Sequence, residues 1–325
     1  MSPLRLESCY HASVVQGERE FLMLTLLRFL RMLAVRLPAR LATRIGVGLG
    51  LLGYHVIRYR RSLIKEQMSR ALKMSPSDRE LKRLFRANFV HYGLLVVEFL
   101  RIRLLRTSPL ESEVQFKGEH HLRNALAQGK GALILSAHLG NYDVSAVALA
   151  LRGFPVMIVS KPLKLKAIER FWMEERSASG LEISLNHESI REILKALRDG
   201  KAVVFVLDQY ASSEQIWPEF FGRPASTLSA PAILTQRTGA PVIPIFTHRG
   251  TDGTHVIEIH KALPFEERGS RDQTIEHNTQ RYTAVIEAAI RQYPEQWTWI
   301  HKRWKGPQLD RTLQKRSMDP TNTQD

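Results

Sequence analysis

Gly131-Ala132-Leu133-Ile134-Leu135-Ser136-Ala137-His138-Leu139-Gly140-Asn141-Tyr142-Asp143 decides how this chain is read. Its first six residues form an apolar run of the length expected for a buried strand. Val144 to Leu151 follows as an Ala/Val/Leu run that reads as a helix. A His and a carboxylate five residues later therefore flank a strand-to-helix turn. Such a turn offers unpaired backbone N–H groups and a positive helix end. A carboxylate in the first helical turn can hold one imidazole nitrogen, which leaves the other to take a proton from an alcohol. The N–H groups, or a nearby cation, are candidates for stabilising an oxyanion. This is equipment for acyl transfer to a hydroxyl. An ordinary helix start capped by Asn141 or Asp143 accounts for much of the same turn.

Outward from this stretch, strands and helices alternate. The α/β part starts near Val114, with a helix at Glu119–Gln128 before the strand Gly131–Ser136. Beyond Leu151 come a strand at Pro155–Ser160, a helix at Leu163–Ala178, a strand at Leu181–Leu185, a helix at Ser189–Leu197 and a strand at Ala202–Leu207. A helix at Ser229–Arg237 and a strand at Pro241–Thr247 complete the series. His255–His260 alternates and reads as a half-exposed strand, and Gln273–Arg291 as a final helix. Repeated βα units predict a mixed, mainly parallel sheet flanked by helices. The domain is expected over 111–305, with a disordered polar tail over 306–325.

Ahead of the sheet the chain changes character. Residues 1–20 look poorly ordered, and 21–110 form a helical, membrane-associated region. Phe21–Leu37 reads as a helix ended by Pro38. Gly46, Gly48, Gly50 and Gly53 punctuate the next apolar run and suit close helix packing. Ser75–Arg106 reads as helical, with Ser77 and Glu80 as a capping box and Phe85, Phe89, Tyr92, Val96 and Phe99 on one apolar face.

The net charge of +15 points to anionic partners. Between Phe21 and Leu72 ten basic residues stand against one acid, Glu66, within the most apolar part of the chain. That combination suits an interfacial membrane helix better than a nucleic-acid surface. Ile45–Ile57 is too short to span a bilayer, so a monotopic attachment is favoured over a single tilted N-terminal span. The only cysteine, Cys9, excludes an intramolecular disulfide framework. His120-His121 lacks the companions of a metal site, and no nucleotide-binding glycine pattern follows a strand. Neither metal nor cofactor is expected.

Several short motifs recur in a telling order. They are His138 to Asp143, Asp208-Gln209, Phe220 to Thr227, Thr238-Gly239-Ala240-Pro241-Val242 with Pro244, and Trp299 to Lys305. From about Phe21 to Lys305 the chain resembles the bacterial lipid A biosynthesis acyltransferases, the lauroyl/myristoyl transferase family related to glycerol-phosphate and lysophospholipid acyltransferases. The resemblance implies an O-acyltransferase on the cytoplasmic face of the inner membrane. The donor would be an acyl-carrier-protein thioester and the acceptor an anionic glycolipid, a lipid A precursor. Another glycolipid or a lysophospholipid acceptor, with an acyl-coenzyme A donor, is the alternative; a non-catalytic membrane-surface protein is a further one. No nucleic-acid partner is expected. His138 would be the general base and Asp143 its orienting partner, with Gly140 and Asn141 shaping the turn. Lys161, where the family usually has Arg, would lie near phosphate or donor. Asp208 and Gln209 end a strand at the sheet's ligand edge, and Arg223 and Thr227 would belong to the substrate pocket. The segment Trp297 to Lys305 mixes aromatic and basic residues and is expected to pack near the sheet on the membrane side.

Overall fold

The computed structural model describes residues 3–160, 162–184, 190–212 and 215–305, with side chains from residue 17 onward. The expectations for Lys161 and for the tail from 306 lie outside these residues. Helix α1 is Pro3–Arg36, so it takes in most of the segment expected to be poorly ordered. Pro38, extended at ψ 142°, separates it from α2, Ala39–Leu52, because proline cannot supply the N–H a continuous helix needs. A π-turn at Gly53–Ile57 leads to α3, Arg61–Leu72. Helix α4 is Arg79–Leu100, followed by a 3₁₀ turn at Ile102–Arg106.

The cap of α4 is Asp78, whose carboxylate accepts the Glu80 N–H at 2.9 Å. The capping box expected at Ser77 is not formed; Ser77 Oγ pairs with Ser75 Oγ at 2.8 Å. The glycine expectation holds for two of four positions. Gly46 and Gly50 of α2 pack on the Val90–Leu94 stretch of α4, where Gly93 faces them. A Cβ on Gly93 would stand 2.1 Å from Gly46 O, so the two backbones touch. Gly48 faces open space, and Gly53 only borders the Phe89 ring. Among the described residues no helix is long and apolar enough to cross a membrane, which removes the single N-terminal span.

The α/β part begins with α5 (Leu110–Glu113), β1 (Val114–Lys117) and α6 (Glu119–Leu126). Then follow β2 (Ala132–Ser136), α7 (Tyr142–Leu151), β3 (Val156–Val159), α8 (Lys166–Ser177), β4 (Glu182–Ser184), α9 (Ile190–Arg198) and β5 (Ala202–Val206). Two small antiparallel ladders follow: β6 (Gln215–Ile216) with β9 (Thr227–Leu228), and β7 (Glu219–Phe220) with β8 (Arg223–Pro224). The chain closes with α10 (Ala230–Thr238), β10 (Val242–Arg249), β11 (His255–Ile259) and α11 (Arg271–Gln292).

Seven strands form one sheet in the order β1-β11-β10-β2-β5-β3-β4. Every neighbouring pair is parallel except β10 with β11, which bears out the mixed, mainly parallel sheet. Strand β11 was expected to be half exposed. It lies between β1 and β10, and all its residues but Glu258 are buried. Alternate residues of β2 enter opposite cores. Leu133 and Leu135 join a cluster with α3, α4, α11 and Trp297 and Trp299. Ala132 and Ile134 join one with α6 and α7. The polar turn after β2 is thereby fixed from both sides.

Candidate active site

His138 follows β2 by two residues, and Asp208 follows β5 by two. The strands are parallel neighbours with Ser136 opposite Val206, so the same register brings His138 beside Asp208. His138 Nδ1 is 2.8 Å from Asp208 Oδ1, and the His138 backbone N–H donates to Asp208 Oδ2 at 2.8 Å. Trp297 Nε1 donates to the same Oδ2 at 2.6 Å. Burial pushes the Asp208 carboxyl up, but the charge of His138 and these three donors outweigh it and bring its pKa down to about 2. An ionised Asp208 requires the proton of a neutral imidazole to sit on Nδ1, which leaves Nε2 as the basic atom.

The expected partner was Asp143, and here the structure differs. Asp143 opens α7 and is buried, with Oδ1 accepting Arg176 Nε at 2.8 Å and also Arg176 Nη2. Arg176 lies near the end of α8 and stacks on Trp172, 4.3 Å from the ring centroid. The two carboxylates thus divide the labour: Asp208 meets the imidazole, and Asp143 ties α7 to α8.

The turn itself is stitched to its surroundings. Gly140 has φ +58°, and a Cβ there would stand 2.2 Å from Thr247 O, so glycine is required. Its N–H donates to Gln296 O at 3.0 Å, while Thr298 N–H donates to His138 O at 3.1 Å. Asn141 Oδ1 caps α7 by accepting Val144 N–H at 3.1 Å, and its Nδ2 donates to Glu98 Oε2 at 2.9 Å. Glu98 is in turn held by Arg249 through two bonds of 2.6 Å. The N–H groups of His138, Gly140 and Val144 are therefore engaged.

Gln209 stands over the imidazole. Its Nε2 is 3.1 Å from His138 Nε2 and 3.3 Å from Nδ1. With Nδ1–H committed to Asp208, the amide donates to Nε2. Tyr142 packs edge-on to the imidazole at 4.8 Å, and the His301 ring lies 6.0 Å away. Burial, then the charge of His138, lowers the pKa of His301.

The remaining expected residues are distributed. Thr227 is buried; its Oγ1 accepts Arg303 Nη2 at 2.6 Å and donates to Ala225 O at 2.8 Å. Arg223 lies with its guanidinium carbon 5.1 Å from the Trp304 ring centroid, and no hydrogen bond joins it to His138 or Asp208. Phe220 and Phe221 are buried against Trp297 and Trp304 as core anchors. Arg303 was not singled out beforehand. It is buried and donates to Gln209 O at 3.1 Å and to Ser226 O, so it joins the Gln209 loop to the Thr227 loop. Trp297, Glu98, Arg249 and Arg176 were also missed in this role. For Trp297 the aromatic–basic segment was the available signal. Among the described residues no group of three or more His, Cys, Asp or Glu side chains is placed to hold a metal ion.

An α/β sheet with a His–Asp pair at its strand C-termini, entered through a strand-turn-helix, is an arrangement chemically able to take up and return a proton. Residues 15–306 match the bacterial lipid A biosynthesis acyltransferase family. The chain belongs to that family and is an acyltransferase of the lipid A and glycolipid type. It is 25% identical to a lipid A biosynthesis acyltransferase of Haemophilus influenzae over 59% of this chain and 59% of that one. It is 24% identical to the lipid A biosynthesis lauroyltransferase of Escherichia coli over 84% of this chain and 88% of that one. A phosphatidylinositol mannoside acyltransferase of Mycolicibacterium smegmatis is likewise 24% identical, over 74% of this chain and 78% of that protein.

Proposed function

We propose that the protein transfers a fatty acyl chain from an acyl-carrier-protein thioester to a hydroxyl of a lipid A precursor at the inner face of the cytoplasmic membrane. The observation that carries the mechanism is the 2.8 Å contact between His138 Nδ1 and Asp208 Oδ1. It sets the tautomer, so Nε2 is the base. The acceptor hydroxyl displaces the Gln209 amide from Nε2, gives up its proton there and attacks the thioester carbon directly. The carbonyl oxygen becomes an oxyanion, and the Gln209 amide is the donor nearest the reacting atoms. Collapse breaks the carbon–sulfur bond, and the imidazolium returns its proton to the departing thiolate. Asp208 stabilises the imidazolium throughout.

Attachment to the bilayer is supported by the N-terminal surface. Phe21, Leu22, Leu26, Phe29 and Leu33 of α1 and Leu41, Ile45, Leu49 and Leu52 of α2 are exposed, together with Val56, Ile57 and Tyr59. So large an apolar area in a region with ten basic residues and one acid between Phe21 and Leu72 fits an interfacial position better than open water.

The acceptor has a second reading, favoured by the mannoside acyltransferase among the relatives: a different glycolipid hydroxyl. Mass spectrometry of products separates the two. Purified protein is offered carrier-linked and coenzyme A-linked acyl donors with a lipid A precursor, a phosphatidylinositol mannoside and a lysophospholipid. Acylated lipid A precursor from the carrier-linked donor, with loss of turnover in His138→Ala, is the expected result. Carrier recognition by this chain of charge +15 also predicts kcat/KM falling steeply with salt. Equal use and equal salt slopes for both donors would remove the carrier protein from the proposal.

A further inference from the structure

A cavity of about 680 Å³ opens on the reverse side of the His138 turn. One wall is a single stripe of α4. Arg79, Lys82, Arg83 and Arg86 occupy its first half, and Ala87, Val90 and Leu94 its second. The spacings of three and four place all seven on one helix face. Tyr54, Arg249, Gly250, Glu295 and Gln296 also line it. Arg83 pairs with Glu80, whereas Arg79, Lys82 and Arg86 are exposed and have no carboxylate partner among the described residues.

His91 adds an independent observation. It lines the cavity, is buried, and presents Nδ1 to Arg249 Nη1 at 3.2 Å. Arginine can only donate, so Nδ1 is the acceptor and the proton of the neutral ring is on Nε2. That Nε2–H has no hydrogen-bond partner among the described residues. The cavity therefore carries three cations without a carboxylate partner among the described residues and an adjoining apolar floor, and a histidine in its wall keeps a buried, unsatisfied donor.

We infer that this cavity is a second binding site for a phosphate-headed lipid, with the phosphate among Arg79, Lys82 and Arg86 and an acyl chain along Ala87, Val90 and Leu94. Neither His138 nor Asp208 lines it, so it is separate from the proposed reaction and does not rest on it. Its wall nevertheless touches the turn: Gln296 O accepts the Gly140 N–H, and Arg249 holds the Glu98 that binds Asn141. Glu295 also lines the cavity, and its charge acts on Arg83.

The test is calorimetric titration of the full chain with dioctanoyl phosphatidate below its micellar concentration, alongside dioctanoylglycerol, inorganic phosphate and polyglutamate. Phosphatidate is expected to bind, to bind His138→Ala equally well, and to bind the triple variant Arg79→Ser/Lys82→Ser/Arg86→Ser about tenfold or more weakly. These side chains are exposed, and an unchanged unfolding midpoint of the variant verifies the fold; the single change Arg86→Glu serves as a second probe with the same expected direction. Unchanged affinity in both variants, or equal binding of dioctanoylglycerol, would overturn the inference. Inorganic phosphate binding as tightly would leave no role for the chain. Polyglutamate binding in place of phosphatidate would assign the stripe to an acidic protein.

Discussion

Asp208 and Asp143 are both buried carboxylates near one histidine, yet their partners give them different work. Asp208→Asn keeps the shape but cannot stabilise an imidazolium, and its amide favours the wrong tautomer. Its kcat is expected to fall by about 10²- to 10⁴-fold with KM little changed. Asp143→Asn leaves the Arg176 guanidinium buried without a counter-charge, and is expected to cost about 3–5 kcal/mol of stability. Urea unfolding of both variants beside their kinetics checks the division; equal losses in both readouts would remove it. The carboxyl of Asp208 also predicts a pH effect. Its folded pKa, about 2, lies below its ordinary 3.8, so its contribution is fully present above about pH 4. It is lost as pH falls towards 2, and amounts to about 2 kcal/mol. Acid unfolding of Asp208→Asn lacks this component.

At the scale of elements, two packing features carry consequences. The α2–α4 crossing depends on Gly93, whose Cβ would collide with backbone atoms of Gly46 and Gly50. Backbone cannot rotate away as a side chain can, so Gly93→Ala forces the helices apart. A loss of about 1–3 kcal/mol is expected by thermal or urea unfolding, whereas Gly48→Ala, facing open space, is expected to be neutral or slightly stabilising. The second feature is the group of His91, Glu98, Arg249 and His255 beneath the turn. Burial, and then the charge of Arg249, lowers the pKa of His91 from 6.5 to about 3; Glu98 opposes this and His255 adds to it. The unfolded chain therefore binds a proton that the folded one refuses. Stability from His91 is complete above about pH 6.5 and falls by about 1.4 kcal/mol per pH unit below it, until about pH 3. His255, also lowered, acts with the same sign. A His91→Gln variant with an unaltered slope between pH 6.5 and 4.5 would contradict this assignment. The same elements show what the sequence could tell. Strand–helix alternation and the turn after β2 were legible because apolar runs and glycines report local backbone. The partner of His138 was not, because it depends on β2 lying next to β5, a neighbour 70 positions away that periodicity does not encode. Sequence distance favoured Asp143; strand order delivers Asp208. The Ser77 capping box failed for a local reason, since Asp78 offers a stronger acceptor one residue later.

On the scale of the whole molecule, the N-terminal helices lie against the α/β domain and still leave a wide apolar surface uncovered. Arg28 and Arg31 of α1 bind Glu174 and Glu175 of α8, and Leu24 packs with Phe171. Elsewhere on α1, Phe21 and Leu22 stand exposed at 68% and 66%. Removing the whole N-terminal region is therefore a poor test of attachment, because it would strip α8 of its ion pairs and α4 of α2. Substitution of the exposed side alone is cleaner. Phe21→Gln, Leu22→Gln, Leu26→Gln and Phe29→Gln together keep every ion pair and remove four large apolar groups from the surface. Each such side chain contributes about 1.5–3 kcal/mol when it leaves water, and only part of that is realised at an interface. A third of it, summed over four residues, is about 2–4 kcal/mol, comparable with two to four bases at roughly 1 kcal/mol each near an anionic leaflet. The substituted protein is thus expected to stay folded and to pellet less completely with anionic vesicles, most clearly in high salt, where the basic component is screened. The unsubstituted protein should pellet, and should still do so in high salt, because screening weakens the basic component and leaves the apolar one. Pelleting that is abolished by salt but untouched by the four substitutions would move the attachment from this apolar surface to the basic residues beside it.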